Sequence, residues 1–150
     1  EGKRVSTGAA EINVMKPSSD VTPFLKITGD LGIDPYNTPV SCRIASVGGY
    51  GGAMGPAQFI PSTWVLYKER LAGLLGKEAN PWNIKDAFLA AALYLSDYGA
   101  ATKTRDGEWK AAMIYFSGST KNKSFYWYAE NVLAIANGFE NDIKILEANR

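Results

Sequence analysis

Apolar residues in this chain recur at spacings of three and four, and most of these runs end at a glycine. That pattern favours helices and leaves little room for a sheet. Thr22 and Pro23 are suited to begin a helix on which Phe24, Ile27 and Leu31 share one face, with Gly32 after the last of them. A second helix is expected from Ser62 to about Leu75, where Trp64, Tyr67, Leu71, Leu74 and Leu75 keep the spacing and Gly76 sits at a left-handed stop. A third spans about Ile84 to Tyr98, capped by Asn83 and stopped by Gly99. Its Phe88, Leu89, Ala91, Ala92, Leu93 and Leu95 leave almost no polar face, so it is expected to lie buried at the centre of the domain. Three further segments read as helical, at about Gly107 to Phe116, Ser124 to Asn137 and Glu140 to Ala148. Phe125, Tyr128, Ala129, Val132 and Ala136 form the inward stripe of the second of these. Ile143 and Leu146, with Phe139 just before, do so in the last. The expected class is all-α, or α with one small hairpin, with five to six helices around the central helix 84–98.

Residues 1–19 read as irregular, with Lys16-Pro17-Ser18-Ser19 as loop. Residues 33–56, which hold Pro35, Pro39, Pro56 and a cluster of glycines, read as loop or hairpin. At 150 residues the chain is expected to be one domain, helical over 20–148 and large enough for its own core. No apolar run approaches the length of a transmembrane helix, and Glu1-Gly2-Lys3-Arg4 does not begin a signal peptide. The formal net charge is +1 and the basic residues are scattered, which argues against nucleic acid as a partner. There is no histidine, so Ser-His-Asp and Cys-His catalysis and the common zinc sites are excluded. Acid–base chemistry falls to a carboxylate, a lysine or a tyrosine. The single cysteine, Cys42, has two readings: a half-buried thiol, or half of a disulfide to a cysteine upstream of the chain.

The segment richest in chemistry is Gly51-Gly52-Ala53-Met54-Gly55-Pro56-Ala57-Gln58-Phe59-Ile60-Pro61-Ser62-Thr63-Trp64. Its glycines let backbone approach a ligand closely and adopt positive φ. Gln58, between a glycine-proline turn and a helix start, offers an amide that both donates and accepts, as sugar hydroxyls and N-acetyl groups require. A glycine-rich turn before a helix can also hold phosphate, but no Gly-Lys-Ser/Thr run is present. The aromatic run Phe125-Tyr126-Trp127-Tyr128 could stack on sugars or bases. On a helix its four members point four ways, with Phe125 and Tyr128 inward and Tyr126 and Trp127 partly exposed.

The fourteen-residue run resembles the signature of the B-type lytic murein transglycosylases. Weaker likenesses follow in Pro81-Trp82-Asn83-Ile84-Lys85-Asp86-Ala87, Ala90-Ala91-Ala92-Leu93-Tyr94-Leu95, Ala112-Met113-Ile114-Tyr115-Phe116-Ser117-Gly118 and Tyr128-Ala129-Glu130-Asn131-Val132, so the resemblance covers roughly residues 20–148. It implies a lysozyme-like fold and cleavage of the β-1,4 bond between N-acetylmuramic acid and N-acetylglucosamine in peptidoglycan. One glutamate would act as acid and then base, while the sugar's 6-hydroxyl closes a 1,6-anhydro ring. It implies no cofactor and no metal, an extracytoplasmic setting in the periplasm or cell envelope, and substrate contacts from Gly52, Met54, Gln58, Phe59, Tyr115, Ser117 and Tyr128. Two departures stand out. Phe116 replaces the family's asparagine beside Tyr115. Only Glu1 and Glu11 precede the glycine-rich segment, and neither follows a recognisable helix, so the expectation is a chain that begins after the catalytic glutamate, with Glu1 the nearest candidate within it. The rival readings are a non-catalytic peptidoglycan-binding module of the same fold and a helical protein-interaction domain.

Overall fold

The computed structural model describes residues 13–43 and 49–149. They hold five helices: α1 (Val21–Asp30), α2 (Pro61–Leu75), α3 (Ile84–Asp97), α4 (Arg105–Ser117) and α5 (Tyr126–Ala148). Short 3₁₀ turns lie at Ala100–Thr102 and Lys123–Phe125. The class is all-α. Among the described residues β pairing is confined to two isolated antiparallel bridges, Val40 with Met54 and Met54 with Phe59, in place of a hairpin. The chain divides into two compact units, the first ending at Ala91 and the second beginning at Ala92. α3 crosses that division.

In the first unit α1 packs against α2, and Phe24, Ile27, Trp64 and Leu71 form the buried seam, with Val14 and Met15 buried as well. α1 begins at Val21, one residue before the expected cap Thr22. Pro23 is still accommodated, because N–H groups of a first turn have no intrahelical partner to lose. Asp20 precedes α1 but makes no side-chain cap there. Its Oδ1 instead accepts the Ser62 N–H at 3.1 Å, capping the start of α2, where Pro61 takes the first position. Lys68 on α2 bridges Asp30 at the end of α1 and Glu78 beyond the end of α2. The Asn83 side chain caps α3 as expected, accepting the N–H groups of Lys85 at 3.0 Å and Asp86 at 3.2 Å.

α3 is not the buried centre. Its buried residues are one stripe, Asp86, Ala87 and Ala90, while Ile84 and Phe88 are each 57% exposed. Apolar composition shows what a helix could bury, but neighbouring elements decide what it does bury. Alanines at spacing three suit close packing on that narrow stripe, and the larger side chains lie outside it. Desolvation pushes the Asp86 carboxyl up, but the Asn80 N–H and the Lys77 ammonium, each at 3.0 Å, outweigh it and hold the group below its ordinary value.

In the second unit Ala112 and Met113 of α4 and Ala129 of α5 form a core, with Trp109, Phe125, Tyr126 and Val132 packed against it. Thr104 Oγ1 caps α4, accepting the Gly107 N–H at 3.2 Å. α5 is a single helix of 23 residues where two were expected. Gly138 lies inside it, because a mid-helix glycine costs only about 1 kcal/mol and does not by itself end a helix. Ala136, Phe139, Ile143 and Leu146, expected to face inward, are exposed. Among the described residues no helix is long and apolar enough to cross a membrane.

Candidate functional site

Met54 and Phe59 fix the glycine-rich loop from below. The Met54 N–H donates to the Phe59 carbonyl at 2.9 Å, and the side chains are only 1% and 5% exposed. The Phe59 ring meets Trp64 edge-on at 5.7 Å. Both residues, expected against substrate, lie buried in the loop and present little to solvent. The glycines also serve the chain's own packing. Gly55 has φ +59°, and a Cβ there would lie 1.8 Å from the Pro81 carbonyl oxygen. At Gly52, φ +91°, a Cβ would lie 2.4 Å from Met15 Cγ. The close approach that requires glycine is to neighbouring protein atoms.

Gln58 is held differently. Its φ of 55° is left-handed, a region that costs a residue with a Cβ about 1 kcal/mol or more. Its Nε2 donates to the Gly55 carbonyl at 2.7 Å while the residue remains exposed.

Gln58 borders a depression of about 220 Å³ whose other walls include Pro39, Val40, Ser41, Ala53 and Trp82. Trp82 Nε1 donates to the Pro39 carbonyl at 2.8 Å, which seats the indole as a wall. Ser41 Oγ accepts the Ala53 N–H at 3.0 Å, and a hydroxyl that accepts keeps its own hydrogen to donate. Among the described residues, none that lines it is charged or carboxylic. Such walls can bind a neutral ligand with an apolar face and hydroxyl or amide groups, and they offer no proton donor of carboxylic type. Trp82 and Ser41 were not anticipated: Trp82 reads in sequence only as part of the approach to α3, and nothing marks Ser41 within its proline-rich loop.

The remaining candidates belong to the second unit. Burial raises the Tyr115 phenol to about 12, and the neighbouring Tyr128 and Tyr94 hydroxyls add to the shift. Tyr94 stands edge-on to Tyr115 at 5.4 Å. Tyr128 is raised by burial too, and its ring stacks on that of Phe116 at 4.3 Å. Ser117 Oγ lies 2.9 Å from the Met113 carbonyl and 2.7 Å from that of Ser119, so its hydroxyl serves the end of α4. Glu1 and Glu11 lie outside the described residues. Cys42 is exposed and unbridged, which removes the half-buried reading. Among the described residues no group of three or more histidine, cysteine, aspartate or glutamate side chains could hold a metal. Compared with protein-family models, curated proteins and solved structures, the chain has no match.

Proposed function

We propose that the loop Gly52–Phe59 and the depression beside it hold a glycan strand, and that the chain is part of a peptidoglycan lytic transglycosylase of lysozyme-like fold acting in the cell envelope. The observation that carries this reading is Gln58: an exposed amide kept at a strained backbone position, beside uncharged walls that combine an indole with a hydroxyl. Strain retained at an exposed polar residue is a common mark of a site selected for binding, and hydroxyl- and acetamido-bearing rings match such walls in chemistry. The family resemblance of residues 51–64 supplies the reaction. The leaving oxygen takes a proton from a glutamate and keeps it, the C1–O bond breaks, and the 6-hydroxyl oxygen adds to C1 as the glutamate, now a carboxylate, takes the 6-hydroxyl's proton. None of the described residues lining the depression can act as that acid, so these residues orient the strand, and the acid is not assigned to any of them.

The test is calorimetry with soluble peptidoglycan strands. Gln58→Ala is expected to weaken binding by about 1–3 kcal/mol, the range for a lost hydrogen bond at a shielded site. Unchanged affinity would remove Gln58 from the site. On purified peptidoglycan the 150-residue chain is expected to bind without releasing 1,6-anhydro-muropeptides. Release would make Glu1 the acid to test next, through Glu1→Gln.

A further inference from the structure

The C-terminal part of α5 leaves an apolar face uncovered. Every residue from 134 to 149 is exposed. Ile135, Phe139, Ile143 and Leu146 are 60%, 64%, 52% and 67% exposed. At 100° per residue these four fall within about 80° of arc and run about 16 Å along the helix. Single exposed apolar residues are ordinary, but a continuous stripe of four large ones is a mark of an interaction surface. A helical segment of this length is also marginal in water without packing on that face.

Charge selects among the possible occupants. Glu140 and Glu147 flank the stripe on one edge and Asp142 on the other, while Lys144 lies farther round the helix. A second copy of the chain would bring these carboxylates against one another. An anionic lipid surface would be repelled, since helices that lie on membranes carry lysine and arginine beside the apolar face. We infer that the stripe docks another protein through an amphipathic helix of about three turns, apolar on one face and basic on both flanks, in the helix-to-helix mode that reads anchors at spacings of three and four. This rests on α5 alone and is independent of the glycan reading.

Two synthetic helices of about eighteen residues, long enough to hold helical structure, test this. They share a leucine face, and one carries lysine flanks while the other carries glutamate. The lysine peptide is expected to bind the 150-residue chain roughly tenfold more tightly than the glutamate peptide, as two or three flank pairs allow, with the difference shrinking in high salt. Phe139→Asp should abolish binding, and Leu66→Asp, at an apolar residue 75% exposed on α2, should leave it unchanged. The double change Glu140→Lys with Glu147→Lys keeps the stripe intact and should turn the preference toward the glutamate peptide. Equal affinity for both peptides, or binding that survives Phe139→Asp, overturns the inference. So does self-association in sedimentation, or uptake by phosphatidylglycerol vesicles, where Phe139→Asp removes it.

Discussion

Gln58 holds a left-handed backbone that glycine would adopt without strain. Gln58→Gly should therefore raise stability in urea melts by up to about 1 kcal/mol, offset in part by the freer unfolded chain. The same change should weaken glycan binding as Gln58→Ala does. A change in the opposite direction separates a residue kept for binding from one kept for packing; if both quantities fall together, Gln58 is structural. Gly55→Ala meets the Pro81 carbonyl head-on and should cost roughly 2–4 kcal/mol in the same melts. Two titrating groups give stability a pH dependence. Asp86 lies below its ordinary 3.8 in the folded chain, so its contribution is present above that pH and is lost as pH falls through the folded value. Asp86→Asn should lower stability at neutral pH by about 1–3 kcal/mol, and the gap from wild type should close in acid. Tyr115 moves the other way, from 10.0 to about 12. Its contribution is intact below pH 10 and is lost as pH climbs through that interval. Tyr115→Phe should flatten the alkaline loss followed by circular dichroism.

The helices show what spacing reveals and what it leaves hidden. The cap Asn83 and the stops Gly76 and Gly99 located α2 and α3 to within one residue, because such residues act on the backbone of their own segment. Burial is not local. The apolar residues of α3 and of the end of α5 carry the same pattern as those of α1 and α2, yet only the latter meet another helix along their stripes. Phe88→Ser should thus change stability by less than about 0.5 kcal/mol. Ala87→Leu, at a fully buried position on the same helix, should cost about 1–3 kcal/mol. The reverse result would restore α3 as a core helix. The two helices expected at about 124–137 and 140–148 are one, because the Gly138 between them weakens a helix without ending it unless the backbone turns left-handed, and here it does not.

At the scale of the molecule, the candidate site was legible in part. The run Gly51–Trp64 marks the loop, and Gln58 within it, because a proline, glycines and a polar residue between two constrained turns are visible in one dimension. Its walls were not, because Trp82 and Ser41 reach the depression from other segments, and Met54 turns inward through a bridge to Val40 that no local signal announces. The chain carries a net charge of only +1, and none of the described residues lining the depression is charged, so the glycan association proposed above should be nearly indifferent to salt, unlike the docking at α5.

The bond from the Ser62 N–H to Asp20 has one more consequence. It joins residues 42 apart, so the chain between them, with the loop Gly52–Phe59, is closed at its base by a carboxylate as well as held within by the Met54–Phe59 pairing. A segment shaped in that way is not portable. Grafted into another helical host without an acid in Asp20's place, Gly51–Trp64 would keep its letters and lose the geometry that puts Gln58 on display. Conversely, Asp20→Ala should disturb Gln58 from well outside the loop.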